Sequence, residues 1–134
     1  MGAIAKAVIA FESEQITLKK DGKNTYLDAQ YSTLENLINS TRKELIKHGL
    51  AIVSSSDEGS MGCIKTTTRL IHSSGEWIEV DIPILVAKQD PQSCGSAITY
   101  GRRYGLQGLL NLPSEDDDGE SAMNRPKTKT GDVI

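Results

Sequence analysis

The residues of this chain best suited to chemistry crowd into one stretch, residues 90–112, DPQSCGSAITYGRRYGLQGLLNL. Arg102 and Arg103 are adjacent cations, Ser96 and Thr99 bring hydroxyls, and Tyr100 and Tyr104 bring aromatic rings. Backbone amides near Cys94-Gly95-Ser96 would open a helix, a natural place for a phosphate. Cations along a groove, hydroxyl donors, flat rings and small residues are what sequence-tolerant binding of a single nucleic-acid strand needs. Each type also has a plainer use. Tyrosines such as Tyr104 pack helices onto sheets, and adjacent arginines lie on solvated faces.

Catalytic sets are sparse. His48 and His72 fall at the ends of expected elements without a Cys, Ser or Asp partner at motif spacing, so capping or turn structure accounts for both. The chain has no P-loop, hence no case for ATP. Asp116-Asp117-Asp118 offers clustered carboxylates of the kind that hold Mg²⁺ in two-metal phosphodiester hydrolysis. Metal sites gather ligands from several rigid elements, however, and these three are consecutive. The run reads as a solvated acidic loop, or as a partner for a basic patch on a neighbouring subunit. No metal and no cofactor are expected. Cys63 and Cys94 are far apart and not in a CxxC pair, so they read as buried free thiols of a cytosolic protein.

The elements that must position these residues follow from periodicity. Asp90-Pro91 starts a helix with Pro in its first turn, and no further Pro interrupts residues 92–110. On a helical wheel Ala97, Gly101, Gly105 and Gly108 fall within roughly 80° of arc, a face of nearly bare backbone. Tyr100, Tyr104 and Gln107 flank it on one side and Ile98, Leu106 and Leu109 on the other, with Arg102 and Arg103 pointing away. Three helical glycines cost about 1 kcal/mol each relative to Ala, so something must approach this helix closely. Upstream, residues 3–12 read as an amphipathic helix with Ile4, Ala7, Val8 and Phe11 inward. Residues 17–23 carry Lys19, Lys20 and Lys23 around an Asp21-Gly22 turn, either a solvated loop or a phosphate-contacting arm.

Ser32-Thr33-Leu34-Glu35 reads as a capping box with Ser32 as the cap. The helix it opens runs to about Lys47, with Leu34, Leu37, Ile38, Leu45 and Ile46 buried, and Gly49 stops it. Arg42, Lys43 and Lys47 complement its C-terminal dipole, which is sufficient reason for them. Three strands are expected at 50–55, 63–72 and 76–84, the last two joined by a Ser73-Ser74-Gly75 hairpin loop. Ile64, Thr66, Thr68 and Leu70 share one face of the second strand, and Lys65, Thr67 and Arg69 the other. Lys65 and Arg69 either pair across the hairpin with Glu79 and Asp81 or contact DNA. The fold class is α+β: a three-stranded antiparallel sheet, a β-β-β-α core, with helices packed on one face.

The chain of 134 residues suits one domain with a modest core. No apolar run approaches the roughly 20 residues of a membrane span. Neither a signal peptide nor a myristoylation site is expected, Lys6 occupying the position where Ser or Thr is wanted. Net charge is −3, but residues 1–114 carry 12 basic and 12 acidic side chains. The excess acid is local, in Glu115, Asp116, Asp117, Asp118 and Glu120, so a neutral body can still carry a basic groove. Residues 1–114 therefore read as the folded domain. Residues 115–134 read as an acidic loop and a disordered tail.

The block GSAITYGRRYGLQGLLNL, followed by EDDDG, closely resembles the Erf (essential recombination function) family of phage single-strand annealing proteins. Tyr31-Ser32-Thr33-Leu34-Glu35, His48-Gly49-Leu50-Ala51, His72-Ser73-Ser74-Gly75-Glu76 and Asp90-Pro91-Gln92 agree in the family's order, so the likeness covers about residues 3–120. One departure is Gly101, Gly105 and Gly108, where the family more often has Ala. The resemblance implies a cytoplasmic, non-enzymatic protein that coats single-stranded DNA, anneals complementary strands without ATP, and assembles as a homo-oligomeric ring or filament. It implies a core similar to that of strand-annealing recombination proteins. Host single-strand-binding protein is the further partner that a protein-contact role would imply. In this scheme Lys65, Arg69, Lys88, Arg102 and Arg103 neutralise phosphates in a groove between the central helix and the β-hairpin. Ser96, Thr99 and Tyr100 add hydrogen bonds or stacking, and the bases stay exposed for pairing. The alternatives are an accessory acting through protein contacts and a metal-dependent nuclease using the acidic cluster.

Overall fold

Alternation in the central third of the chain produces an antiparallel sheet, and apolar stripes three and four residues apart produce the helices that cover it. A computed structural model describes residues 2–18, 20–24 and 29–113. The element order is α1 (Gly2–Glu12), β1 (Gly22–Asn24), β2 (Ala29–Tyr31), α2 (Leu34–Lys47), β3 (Leu50–Glu58), β4 (Cys63–His72), β5 (Trp77–Leu85) and α3 (Pro91–Leu109). The main sheet has the order β3-β4-β5, both pairings antiparallel. This is the expected α+β fold with three meandering strands followed by a helix. The acidic run and the expected disordered tail lie outside the described residues.

Register fixes two unlike faces. Ile52, Leu70 and Ile78 stand in one cross-strand row, Ser54, Thr68 and Val80 in the next, Ser56, Thr66 and Ile82 in the third. This face lies under the helices. Ile4, Ala7 and Phe11 of α1, Leu37 and Leu45 of α2, Leu50, Leu70, and Leu106 and Leu110 at the end of α3 form the core. Each such fully buried aliphatic side chain contributes about 1.5–3 kcal/mol. The opposite face is open. It carries Val53, Arg69 and Glu79 in one row, Ser55, Thr67 and Asp81 in the next, and Asp57, Lys65 and Pro83 in the third.

The turns follow local chemistry. Gly75, at φ 94°, closes the β4–β5 hairpin, and Gly49, at φ 74°, ends α2 in the left-handed conformation a side chain disfavours. The β3–β4 connection is shorter than expected. Strand β3 runs on to Glu58, and residues 59–62 make the turn, with the Gly59 amide donating to the Cys63 carbonyl at 2.9 Å.

Two local expectations are corrected. The cap of α2 is Thr33, not Ser32: its hydroxyl accepts from the Asn36 amide at 3.2 Å, while Ser32 is buried. Asp21 decides this, accepting from both the amide and the hydroxyl of Thr33 at 2.9 Å. The buried stripe of α2 also shifts. Ile46 is 61% exposed, and Thr41 takes the interior position with its hydroxyl donating to the Leu37 carbonyl at 2.7 Å. The small β1–β2 ladder, pairing Gly22 with Tyr31, was not expected.

Candidate nucleic-acid interface

Helix α3 begins where Asp90, in extended conformation, accepts the Ser93 amide at 2.7 Å and Pro91 takes the first turn. That hydrogen bond holds the Asp90 carboxyl below its usual range. A phosphate approaching the helix N-terminus would thus meet a carboxylate already on the exposed amides. The expected phosphate site at residues 94–96 also lies inside the helix rather than at its start, the Cys94 amide donating to the Asp90 carbonyl at 3.0 Å.

The helix comes down on β4 through its glycines. An added Cβ on Gly101 would lie 2.7 Å from the Thr66 hydroxyl, and one on Gly105 would lie 2.6 Å from that of Thr68. Both threonines are fully buried and tied sideways to β3: Ser56 to Thr66 at 2.8 Å and Ser54 to Thr68 at 3.1 Å. A seam of hydroxyls therefore runs beneath the glycine face. Gly108 does not belong to it, being exposed with nothing within 4 Å of its would-be Cβ.

A groove opens on each flank of α3. One, of about 590 Å³, is lined by Leu85, Lys88, Gln92, Ser96 and Tyr100 among others. The other, of about 210 Å³, lies between α2, β3 and α3, with Leu34, Ile38, Leu45 and Ile52 in its wall and Arg42 and Arg102 on its lining. Arg42 and Arg102 are exposed, and among the described residues no ion pair joins either of them or Lys88. At about 100° per residue, Arg102, Thr99, Ser96 and Tyr100 step in that order around the outside of α3, from one groove to the other. Ser96 and Thr99 are exposed on this arc.

Arg103 departs most from expectation. It does not point to solvent: it is 4% exposed, with its guanidinium over three tyrosine rings. The guanidinium carbon lies 4.2 Å from the Tyr31 ring centre, 5.0 Å from that of Tyr100 and 5.1 Å from that of Tyr104. Tyr100 and Tyr104 stack at 6.1 Å with planes 14° apart. Arg103 is thus part of an aromatic cluster covering the helix rather than a surface phosphate contact.

Lys65 and Arg69 stand on the open face, across the sheet from α3, so no single groove between α3 and the hairpin gathers all eight expected residues. Arg69 is engaged there. It donates to Glu79 from Nε at 3.0 Å and from Nη2 at 2.8 Å, and its guanidinium lies 3.7 Å over the Trp77 ring. Asp81 takes Thr67 instead, at 2.7 Å, and Lys65 stands in register with Asp57 and Pro83. Arg42 is the residue the sequence did not assign. Its place near a helix C-terminus explained it locally, and only the packing of α2 beside α3 sets it on the same groove as Arg102.

Among the described residues no three His, Cys, Asp or Glu side chains gather as metal ligands, and Asp116-Asp117-Asp118 lies outside those residues. Cys63 and Cys94 are free and half-buried. No described helix is long and apolar enough to cross a membrane. No curated protein and no solved structure matches the chain. The family model described as ERF superfamily matches residues 4–132, and by that match the chain belongs to the ERF superfamily.

Proposed function

We propose that this protein binds single-stranded DNA across the outer surface of α3 and pairs complementary strands without ATP, as an oligomer, in phage homologous recombination. Membership of the ERF superfamily supports the recombination role. The observation that carries the binding reading is the pairing of Arg42 with Arg102 on one groove, both exposed and neither in an ion pair among the described residues. Two guanidiniums on one groove, with no ion-pair partner among the described residues, suit phosphate oxygens. From there Thr99 and Ser96 lead over the helix to Lys88 and Tyr100 in one band. Phosphate gripping tolerates any sequence and leaves Watson–Crick edges free, so base pairing itself supplies the specificity. Lys65 and Arg69 lie outside this band. Annealing in this reading breaks and forms no covalent bond.

The test is fluorescence anisotropy of a labelled oligonucleotide at two salt concentrations, followed by the complementary strand without ATP or metal. Salt-sensitive binding and accelerated pairing are expected. Arg42→Ala with Arg102→Ala should weaken binding and flatten the slope of log affinity against log salt by about 1.4, at about 0.7 for each phosphate no longer neutralised. Pairing Arg102 with Arg42 keeps the test off the buried Arg103. A folded double variant that binds unchanged would sink the assignment. An oligomer without DNA affinity would favour the protein-contact reading, for which the open sheet face exposes Val53 and Trp77.

A further inference from the structure

We infer that Tyr100 is a stacking platform for a base of the bound strand, and that Arg103 is the positioning residue that holds its ring there and takes no phosphate itself. The inference rests on the DNA-binding reading above and assigns what that reading leaves open: which group meets a base, and why an arginine lies buried beside it.

Among the described residues Tyr100 is the only ring partner of Arg103 that lines the 590 Å³ groove, and it is 45% exposed. Tyr104 and Tyr31 are more covered. The ring of Tyr100 is not free to swing. Tyr104 stacks beside it at 6.1 Å, and the Arg103 guanidinium lies 5.0 Å from its centre. Arg103 in turn is held against Tyr31 of β2 at 4.2 Å, so a residue from the small β1–β2 ladder braces the cluster from outside the helix. A flat exposed ring, fixed in advance, is what base stacking requires, because little conformational freedom remains to be lost on binding.

The groove around the ring suits a nucleotide. Lys88 stands on its lining with no ion-pair partner among the described residues, Ser96 and Gln92 offer hydrogen bonds, and Leu85 and Val86 give an apolar wall. Its volume falls in the range of small-molecule sites, about 300–1,000 Å³. A base lying flat on Tyr100 keeps its pairing edge outward, so the platform orders the strand without hiding its sequence. A positive charge that touched phosphate would be expected at the surface. Arg103 is instead 4% exposed among rings, where its charge acts on the π-faces.

The experiment compares two labelled oligonucleotides of equal length and charge, oligo(dT) and an abasic strand of the same phosphate count. Wild-type protein should bind oligo(dT) about 25-fold more tightly, the middle of the range for stacking one base. Tyr100→Phe should keep that preference. Tyr100→Leu should abolish it, the affinity for oligo(dT) falling to that for the abasic strand. Arg103→Lys, which keeps the charge and loses the planar fork, should reduce the preference without changing the salt dependence. A strand carrying 2-aminopurine gives an independent readout: its fluorescence should be quenched by wild type and Tyr100→Phe and not by Tyr100→Leu. If Arg103→Lys does not fold, the Tyr100 variants and the quenching still decide the platform. Equal binding of both strands by wild type would overturn this inference and leave the phosphate reading standing. Loss of abasic binding and of one phosphate's salt dependence in a folded Arg103→Lys would return Arg103 to phosphate binding. No binding of either strand would overturn the DNA-binding reading and this inference with it.

Discussion

One methyl group distinguishes the glycines of α3 from one another. At Gly101 it would meet the Thr66 hydroxyl at 2.7 Å and its Cβ at 2.8 Å, and Thr66 is fully buried and held by Ser56. The neighbour cannot swing aside. Gly101→Ala should therefore destabilise the protein by about 1–3 kcal/mol, overpacking outweighing the gain in helix propensity. Gly108→Ala meets nothing within 4 Å and should stabilise by about 0.4–1 kcal/mol, because only the unfolded chain loses freedom. Urea unfolding of the two variants, with m unchanged, would read both signs. Gly101 and Gly105 are matched to the bulk of Thr66 and Thr68, and Gly108 is matched to nothing in the described structure. At Arg103 the residue scale misleads when taken alone. Two adjacent arginines look equivalent in sequence, yet one lies exposed on a groove and the other under three rings.

Helix α1 is tied to the rest of the molecule at both ends by carboxylates. Glu76, in the β4–β5 turn, accepts the Ile4 amide at 2.7 Å, and that bond lowers its pKa below the usual 4.5. Glu14, just past the helix, accepts from His48 at 2.7 Å and pairs with Lys47 at 3.2 Å, which lower its pKa in the same way. A carboxyl with a depressed folded pKa stabilises the fold above its unfolded value and loses that contribution as pH falls through the folded one. The docking of α1 should therefore weaken below about pH 4.5, and Asp90, lowered in the same direction, adds its own loss at the start of α3. Glu14→Gln with Glu76→Gln should lower stability at pH 7 and flatten its dependence between pH 5 and about 2, measured by urea midpoints across pH. Elements were legible in the sequence where a period was sustained. The alternation of Ile78, Val80, Ile82 and Ile84 announced β5, and its register follows from the hairpin turn. The cap of α2 was one residue off because Ser32 and Thr33 are both favoured caps, and Asp21 chose between them from a distant segment. Strands β1 and β2 are three residues each, too short to carry a pattern. Of the candidate site, the band on α3 was legible from residue type. The split of Lys65 and Arg69 from it was already written in the alternation of β4, and the meeting of Arg42 with Arg102 was not, because it depends on how two helices pack.

At the scale of the whole molecule, the helices, the core and the proposed DNA band share one side of the sheet. The open side carries paired charges and Trp77. Arg69→Ala should accordingly leave DNA affinity within about 2-fold of wild type, as expected for a cation already bound to Glu79, whereas Lys88→Ala should weaken it. Titration of each variant with the same oligonucleotide separates the two sides. The hydroxyl seam under α3 has a consequence for motion. The C-terminal turns of that helix are anchored by Leu106 and Leu110 in the apolar core, and the turns around Gly101 rest on threonine hydroxyls with few methyl groups between. Backbone opening is cheapest where the least apolar surface is hidden. The amides of residues 96–101 should therefore exchange their hydrogens for deuterium sooner than those of residues 105–110. DNA laid across Thr99 and Arg102 should slow the first group far more than the second. The half of α3 proposed to receive the strand is the half least firmly moored, and a bound strand would fasten it.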